Sequence, residues 1–142
     1  MTKPNISRSV HDLIYTNWNL TGDLARNKVD WIVDEKATTT TNKPTLFFQK
    51  GRHPTYDEGL PKGVLSYRIL EVYVAPFVPT SVSGCTDNMW EMGEEVRRII
   101  RANRTAVSGV ERVTFSRAGQ RRGGVLDPLR GNEVIVECFW RD

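Results

Sequence analysis

The sequence predicts an α+β domain: a mostly antiparallel sheet with one amphipathic helix packed on a face, preceded by an N-terminal helix. Val64–Val74 is rich in β-branched and aromatic residues and is expected to stop as a strand at Pro76 and Pro79. Asp87–Arg104 carries apolar residues at helical spacing. Two further strands are predicted from similar residues, at Val110–Phe115 and Glu133–Trp140.

The N-terminal part is predicted to begin with a helix over Ile6–Trp18. Four apolar residues recur there on one helical face, and Asn5 or Ser7 can cap the first turn. Strands are expected at Val29–Asp34, where a short helix from about Asp23 is the alternative, and at Pro44–Lys50. The polar segments 37–43 and 52–62 are expected to be loops.

The helix over Asp87–Arg104 is the best-specified element. Asp87 or Asn88 is the expected N-cap, and Glu94 can pair with Arg98 one turn later. Acidic residues in the first turns and arginines in the last ones suit the helix dipole. The residues expected to be buried against the sheet are Met89, Met92, Val96, Ile99 and Ile100.

Length and composition indicate one globular domain over residues 1–142. Its 39% apolar and 26% charged residues are ordinary for a folded protein that needs no metal or disulfide. No apolar run approaches the ~18 residues that span a bilayer, and the first residues lack the apolar segment of an export signal. We therefore expect no membrane partner, and Cys138 to be a buried free thiol.

Catalytic, metal and cofactor sites are not indicated. His11 and His53 have no Ser or Cys nucleophile at a recognisable spacing, and two neighbouring helix residues such as His11 and Asp12 are not expected to face each other. Two cysteines and two histidines do not form paired zinc-ligand motifs. We expect a protein that is not an enzyme and needs no cofactor.

The net charge is only +3, but basic residues are concentrated in one region. Between Arg97 and Arg122 there are eight arginines and one acid. The loop residues Arg117, Arg121 and Arg122 could contact phosphates, dock on an acidic rim of another subunit, or simply be solvated. The four tryptophans are spread over the chain, as core or interface anchors are, which disfavours a base-stacking platform. A small nucleic-acid-binding protein using the basic loop is the alternative function.

The order of elements resembles the tail-terminator and tail-completion (neck) proteins of tailed phages and related viruses. The similarity lies in an opening helix, a strand at Pro44–Lys50, the long strand Val64–Val74, the helix Asp87–Arg104, and a strand, loop and closing strand that ends at Trp140. Asn19–Lys43 departs from that family by being longer and more polar.

This resemblance implies a structural subunit of the virion, assembled in the host cytoplasm. It implies a homo-oligomeric ring, commonly a hexamer, between the head connector or neck proteins and the tail tube protein. Genomic DNA passes through the lumen of such a ring without sequence recognition. The arginines 117, 121 and 122 are then expected at a subunit boundary or facing the channel.

Overall fold

The computed structural model describes residues 5–34, 42–51, 55–56, 67–79, 84–107, 110, 112–115 and 134–141. Two α-helices, one short 3₁₀ helix and six strands lie in these ranges. The helices are α1 (Ile6–Asn17) and α2 (Cys85–Ala102), and the 3₁₀ turn is Gly22–Leu24. The strands are β1 (Asp30–Val33), β2 (Thr45–Lys50), β3 (Thr55–Tyr56), β4 (Tyr67–Phe77), β5 (Arg112–Phe115) and β6 (Val134–Arg141).

The strands form one mostly antiparallel sheet, in the order β1–β2–β4–β6–β5, with β3 paired to β4. Only β1 and β2 are parallel among the described pairs. Both helices pack on the same face of this sheet, because the alternate residues of β2, β4, β6 and β5 that point to that face share one core with them. The predicted α+β class is confirmed.

The burial of α2 follows its sequence pattern. The side chains of Met92, Val96, Ile99 and Ile100 are completely buried, and Met89 is partly buried at the edge of the core. Met89 packs against the main core and against a small cluster on the other sheet face, formed by Phe47, Ala75 and Phe77. The expected burial is therefore confirmed for four residues and only partial for the fifth.

Strand β4 ends at Phe77, between the two prolines predicted to stop it, so the end is where expected but Pro76 itself lies within the strand. The Gly51 N–H donates to Glu71 O over 2.7 Å, which shows that odd-numbered residues of β4 point their backbone groups at β2. The nitrogen of Pro76 therefore points to the β6 side, beyond Val74, which is the last residue of β4 paired with β6 among the described residues. Within this described ladder the proline costs no hydrogen bond.

Two local expectations fail. The segment expected to be a loop over 52–62 contains β3, which pairs with β4 on the same side as β2. Helix α2 begins at Cys85, and neither Asp87 nor Asn88 caps it. The residue before it is Gly84, which adopts a positive φ of 73° readily because glycine has no Cβ. Asn5, in contrast, caps α1 as predicted by accepting a hydrogen bond from the Arg8 N–H.

Candidate interaction surfaces

The arginine-rich loop is the site indicated by the sequence. Arg117, Arg121 and Arg122 all lie outside the described residues, so their expected location at a boundary or channel stays a prediction. The described arginines of the same basic region show how its helical part is organised.

Helix α2 pairs its arginines with its own acids. Arg97 Nη1 lies 3.0 Å from Glu94 Oε1, and Arg98 Nε lies 2.6 Å from Glu95 Oε1. The predicted Glu94–Arg98 pair is wrong, because Arg98 bonds the more deeply buried glutamate three residues before it. The helical half of the basic region is thus a mixed surface instead of a purely positive one.

Glu95 joins the two helices. Its side chain is almost fully buried, with 6% of the residue exposed. Its carboxylate accepts hydrogen bonds from the Asn19 N–H at 2.6 Å and from Arg98 Nη2 at 3.0 Å. Arg98 Nη2 also donates to Asn17 O at 3.0 Å. This glutamate–arginine clamp satisfies backbone groups where α1 ends and fixes the direction of α2.

The electrostatics of the clamp favour its charged form. Burial raises the pKa of the Glu95 carboxyl, but hydrogen bonds from Arg98 and from the Asn19 N–H outweigh burial, so the pKa lies below its ordinary value. The hydrogen bond to Glu95 likewise raises the pKa of Arg98. Sequence reasoning missed this clamp, although Glu95 lies three residues after Met92 and four before Ile99 and so shares their flank of the helix.

The outer side of α2 carries the most exposed large apolar side chain of the described residues. Trp90 is 58% exposed, and the solvent-facing positions around it are charged. Acids lie towards the helix N-terminus and arginines towards its C-terminus: Asp87, Glu91 and Glu94, then Arg97, Arg98 and Arg101. Exposed tryptophans surrounded by charge are typical of protein interfaces. The expectation that the tryptophans are core or interface anchors is confirmed for Trp18, which is buried in the core, and stays a prediction for Trp90.

The two edges of the sheet differ in how their backbone groups are used. The Asp30 N–H donates to Pro44 O, just before β2, and the Asp34 N–H donates to Phe48 O of β2. The backbone groups of Trp31 and Val33 therefore point away from the sheet, and in the described part of the chain no hydrogen bond reaches them. This outward side of β1 is the open edge.

The opposite edge is partly closed by the chain itself. The Val113 N–H of β5 points away from β6 and donates to Arg104 O over 2.7 Å. An incoming strand would have to displace that bond to pair with β5. Of the two ends of the sheet, the open edge of β1 is thus the better template for strand addition.

The sheet face away from the helices combines acids with an arginine. Glu71 and Glu137 lie directly opposite each other on β4 and β6, and Tyr73 Oη donates to Glu71 Oε2 at 3.1 Å. The Arg112 guanidinium lies 4.3 Å from the ring centroid of Phe139 on the neighbouring strand. Within the described ranges, no group of three or more His, Cys, Asp or Glu could hold a metal ion.

His11 is packed in an aromatic cluster. Its ring lies 5.5 Å from Tyr15, 5.7 Å from Trp31 and 5.3 Å from Phe48, between ring centroids. His11 Nδ1 is 2.9 Å from Asp12 Oδ1, so the expectation that these neighbours do not meet is wrong. The contacts with these three aromatic rings account for the position of the His11 imidazole.

Cys138 is a buried free thiol, as predicted. Burial, with a smaller effect of the nearby Glu137 charge, raises its pKa to about 12. At neutral pH the thiolate is therefore a negligible fraction, and the side chain acts as a small apolar core residue. Cys85, at the start of α2, is also a free cysteine and is partly exposed.

Comparison with known proteins adds no relative. No protein-family model matches this sequence, and the search of curated proteins found no match. Among the helices that the structure describes, none is long and apolar enough to cross a membrane.

Proposed function

We propose that this chain is a structural virion protein, a neck or tail-terminator subunit that forms a ring between the head connector and the tail tube. The resemblance of the element order to that family is one support. A second is the fold class: the family resemblance implies an α+β subunit, and both helices of this chain pack on one face of a mostly antiparallel sheet.

The observation that carries the proposal is the difference between the two sheet edges. A ring is built from heterologous contacts, in which two different surfaces of each subunit meet. The open edge of β1 offers outward N–H and C=O groups at Trp31 and Val33, whereas the β5 edge is occupied at Val113 by Arg104 O. A segment from the next subunit that pairs with β1 would repeat the same contact around the ring.

The edge contact can be tested with one substitution. Val33→Pro removes an outward N–H and leaves the Asp30 and Asp34 bonds to β2 intact, so the sheet should still form. Val33→Thr keeps the N–H and the β-branched shape and is the matched control. Light scattering after size exclusion, with negative-stain microscopy, should show rings for the parent and for Val33→Thr, and loss of rings for Val33→Pro.

Two results would count against the proposal. Rings of unchanged mass from Val33→Pro would show that β1 is not the subunit contact. Imaging of virus particles that contain the chain tests the neck location independently, and density for the chain anywhere other than between head and tail tube would overturn that location.

A further inference from the structure

The outer face of α2 carries acidic residues in its first half and basic residues in its second half, so its charges are complementary to those of a second α2 that runs in the opposite direction. At alternating spacings of three and four residues this face carries Asp87, Trp90, Glu94, Arg97, Arg101 and, just after the helix, Arg104. We name these six residues the outer stripe. Spacings of three and four keep side chains on one side of a helix. The side chains of the opposite face are buried in the core, whereas the outer stripe is accessible: its outer members Asp87, Trp90, Arg101 and Arg104 are exposed and its central members Glu94 and Arg97 are partly exposed.

We propose that the outer stripe binds the outer stripe of a second copy of this chain, with the two α2 helices antiparallel about a two-fold axis. An axis midway between Glu94 and Arg97 matches every position with a favourable partner. Glu94 then meets Arg97 of the partner subunit, and Trp90 meets Arg101 of the partner subunit. Asp87 meets Arg104 of the partner subunit, beyond the helix end.

Charge identifies the occupant as a second copy. A purely acidic or purely basic partner would repel one half of the outer stripe, because its N-terminal half is acidic and its C-terminal half basic. Parallel packing of two copies would oppose Glu94 to Glu94 and Arg97 to Arg97, which like-charge repulsion disfavours. Only the antiparallel arrangement satisfies both halves.

Trp90 supplies the apolar part of the contact. Its side chain is exposed, and an arginine over an indole ring gains a cation–π interaction. The pair of Arg97 and Glu94 within one helix, 3.0 Å apart, does not have to break, since each carboxylate can accept from both guanidinium groups. The contact would therefore bury two tryptophans and link four charges at its centre.

The length of α2 limits the affinity that we expect for the dimer. Eighteen residues give a helix about 27 Å long. One helix pair of that length covers less than the ~1,600 Å² of a standard interface, so we expect a weak, concentration-dependent dimer. An isologous contact closes at two copies, so this dimer does not depend on the proposed ring and does not build it.

The test is sedimentation velocity from about 1 to about 500 μM protein, a range that covers weak interfaces. It is run on Val33→Pro, in which assembly through β1 cannot hide the dimer. Doubling of the monomer mass is expected, and adding Trp90→Ala to Val33→Pro should weaken the dimer by at least ~30-fold. Absence of doubling at every concentration would overturn the proposal.

Charge exchange tests the antiparallel pairing itself. Glu94→Arg and Arg97→Glu should each abolish self-association, because the first variant sets arginine against arginine at the centre of the contact and the second sets glutamate against glutamate. Mixing the two variants should restore a dimer, since one copy then carries only arginine at these two positions and its partner only glutamate. Asp23→Arg, an exposed change of the same charge on the 3₁₀ turn, is the control and should dimerise normally. Failure of the mixture to associate, or equal loss in the control, would reject the proposed pairing.

Discussion

Helices α1 and α2 lie on the same face of one sheet, but they are held in different ways. Both ends of α1 are tied by residues from elsewhere in the chain. At its start, the buried Ser7 hydroxyl donates to the Asp34 carboxylate, and at its end Arg26 donates to Thr16 O and Trp18 O. Arg98 of α2 adds a bond to Asn17 O. Helix α1 is thus built into the fold.

Helix α2 is held by burial along one side and by the Glu95–Arg98 clamp on that same flank. Gly84 before it makes no side-chain cap, while the inner residues of α2 are completely buried and its outer side exposes Trp90. A helix fixed in this manner keeps an entire face available for contacts. The comparison assigns stability to α1 and to the inner side of α2, and binding to the outer side of α2.

The largest stability effect is expected from the inner side of α2. Ile99→Ala removes a completely buried side chain and should lower the free energy of unfolding by ~2–5 kcal/mol. Trp90→Ala, on the outer side, should change it by no more than ~0.5 kcal/mol. Urea denaturation at low protein concentration measures both variants as monomers. If the two variants lost similar amounts of unfolding free energy, the inner and outer sides of α2 would not differ in their contribution to stability.

The clamp between the helices should give the next largest effect. Glu95→Gln loses charge-assisted hydrogen bonds to Arg98 and should cost ~1.5–3 kcal/mol in the same urea experiment. Glu94→Gln is the matched control, because the Glu94–Arg97 pair lies nearer the surface than the clamp and is worth only ~0.5 kcal/mol. A cost for Glu95→Gln no greater than that of its neighbour would mean that the clamp does not join the helices.

The same clamp predicts a pH dependence. The pKa of Glu95 is lower in the folded chain than its ordinary value of 4.5, so the folded state holds the charged carboxylate more favourably than the unfolded state does. This stabilisation is present above pH 4.5 and is lost as the pH falls through the lower, folded-state pKa. The free-energy gap between the parent and Glu95→Gln should therefore be constant above pH 4.5 and narrow as the pH falls below that value. A gap that stays constant below pH 4.5 would contradict this assignment.

A smaller loss is expected where α1 begins. Ser7→Ala removes the hydroxyl that bonds Asp34, and it should cost ~1 kcal/mol because the exposed carboxylate can turn to water. Ser9→Ala, on a less buried side of the same turn, is the control. Thermal unfolding of the two variants gives the comparison, and equal melting temperatures would show that Asp34 does not secure α1.

The sequence was sufficient for those features that a local pattern encodes. The period of Val10, Leu13 and Ile14 predicts α1, and the apolar spacing in α2 predicts its inner side, because a buried stripe must recur every three or four residues. The α+β class follows from the order of such segments. Trp90 was predicted only as a core or interface anchor, because a single tryptophan does not show whether its side chain faces the core or the solvent.

Features that depend on distant neighbours could not be predicted. The parallel pairing of β1 with β2 leaves Trp31 and Val33 on an open edge, and no local pattern encodes which strand lies beside another. Glu95 becomes a clamp only because the end of α1 lies beside it. Pro76 lies beyond the last described pair of β4 with β6, and β6 is a strand far away in the chain.

The last and smallest effect on stability is expected from the arginine loop. Replacing Arg121 and Arg122 by Glu should change the free energy of unfolding by less than ~0.5 kcal/mol, as exposed surface changes usually do. Assembly or attachment to the particle should fail instead, because a basic tip acts only on acidic rims or phosphates within ~10 Å at about 0.1 M salt. Arg8→Glu with Lys28→Glu, two exposed sites, is the control of equal charge. Normal particle yield and infectivity from the loop variant would show that these arginines only increase solubility. Salt-dependent DNA binding by the parent chain that this variant loses, with assembly intact, would favour the nucleic-acid-binding alternative over the ring.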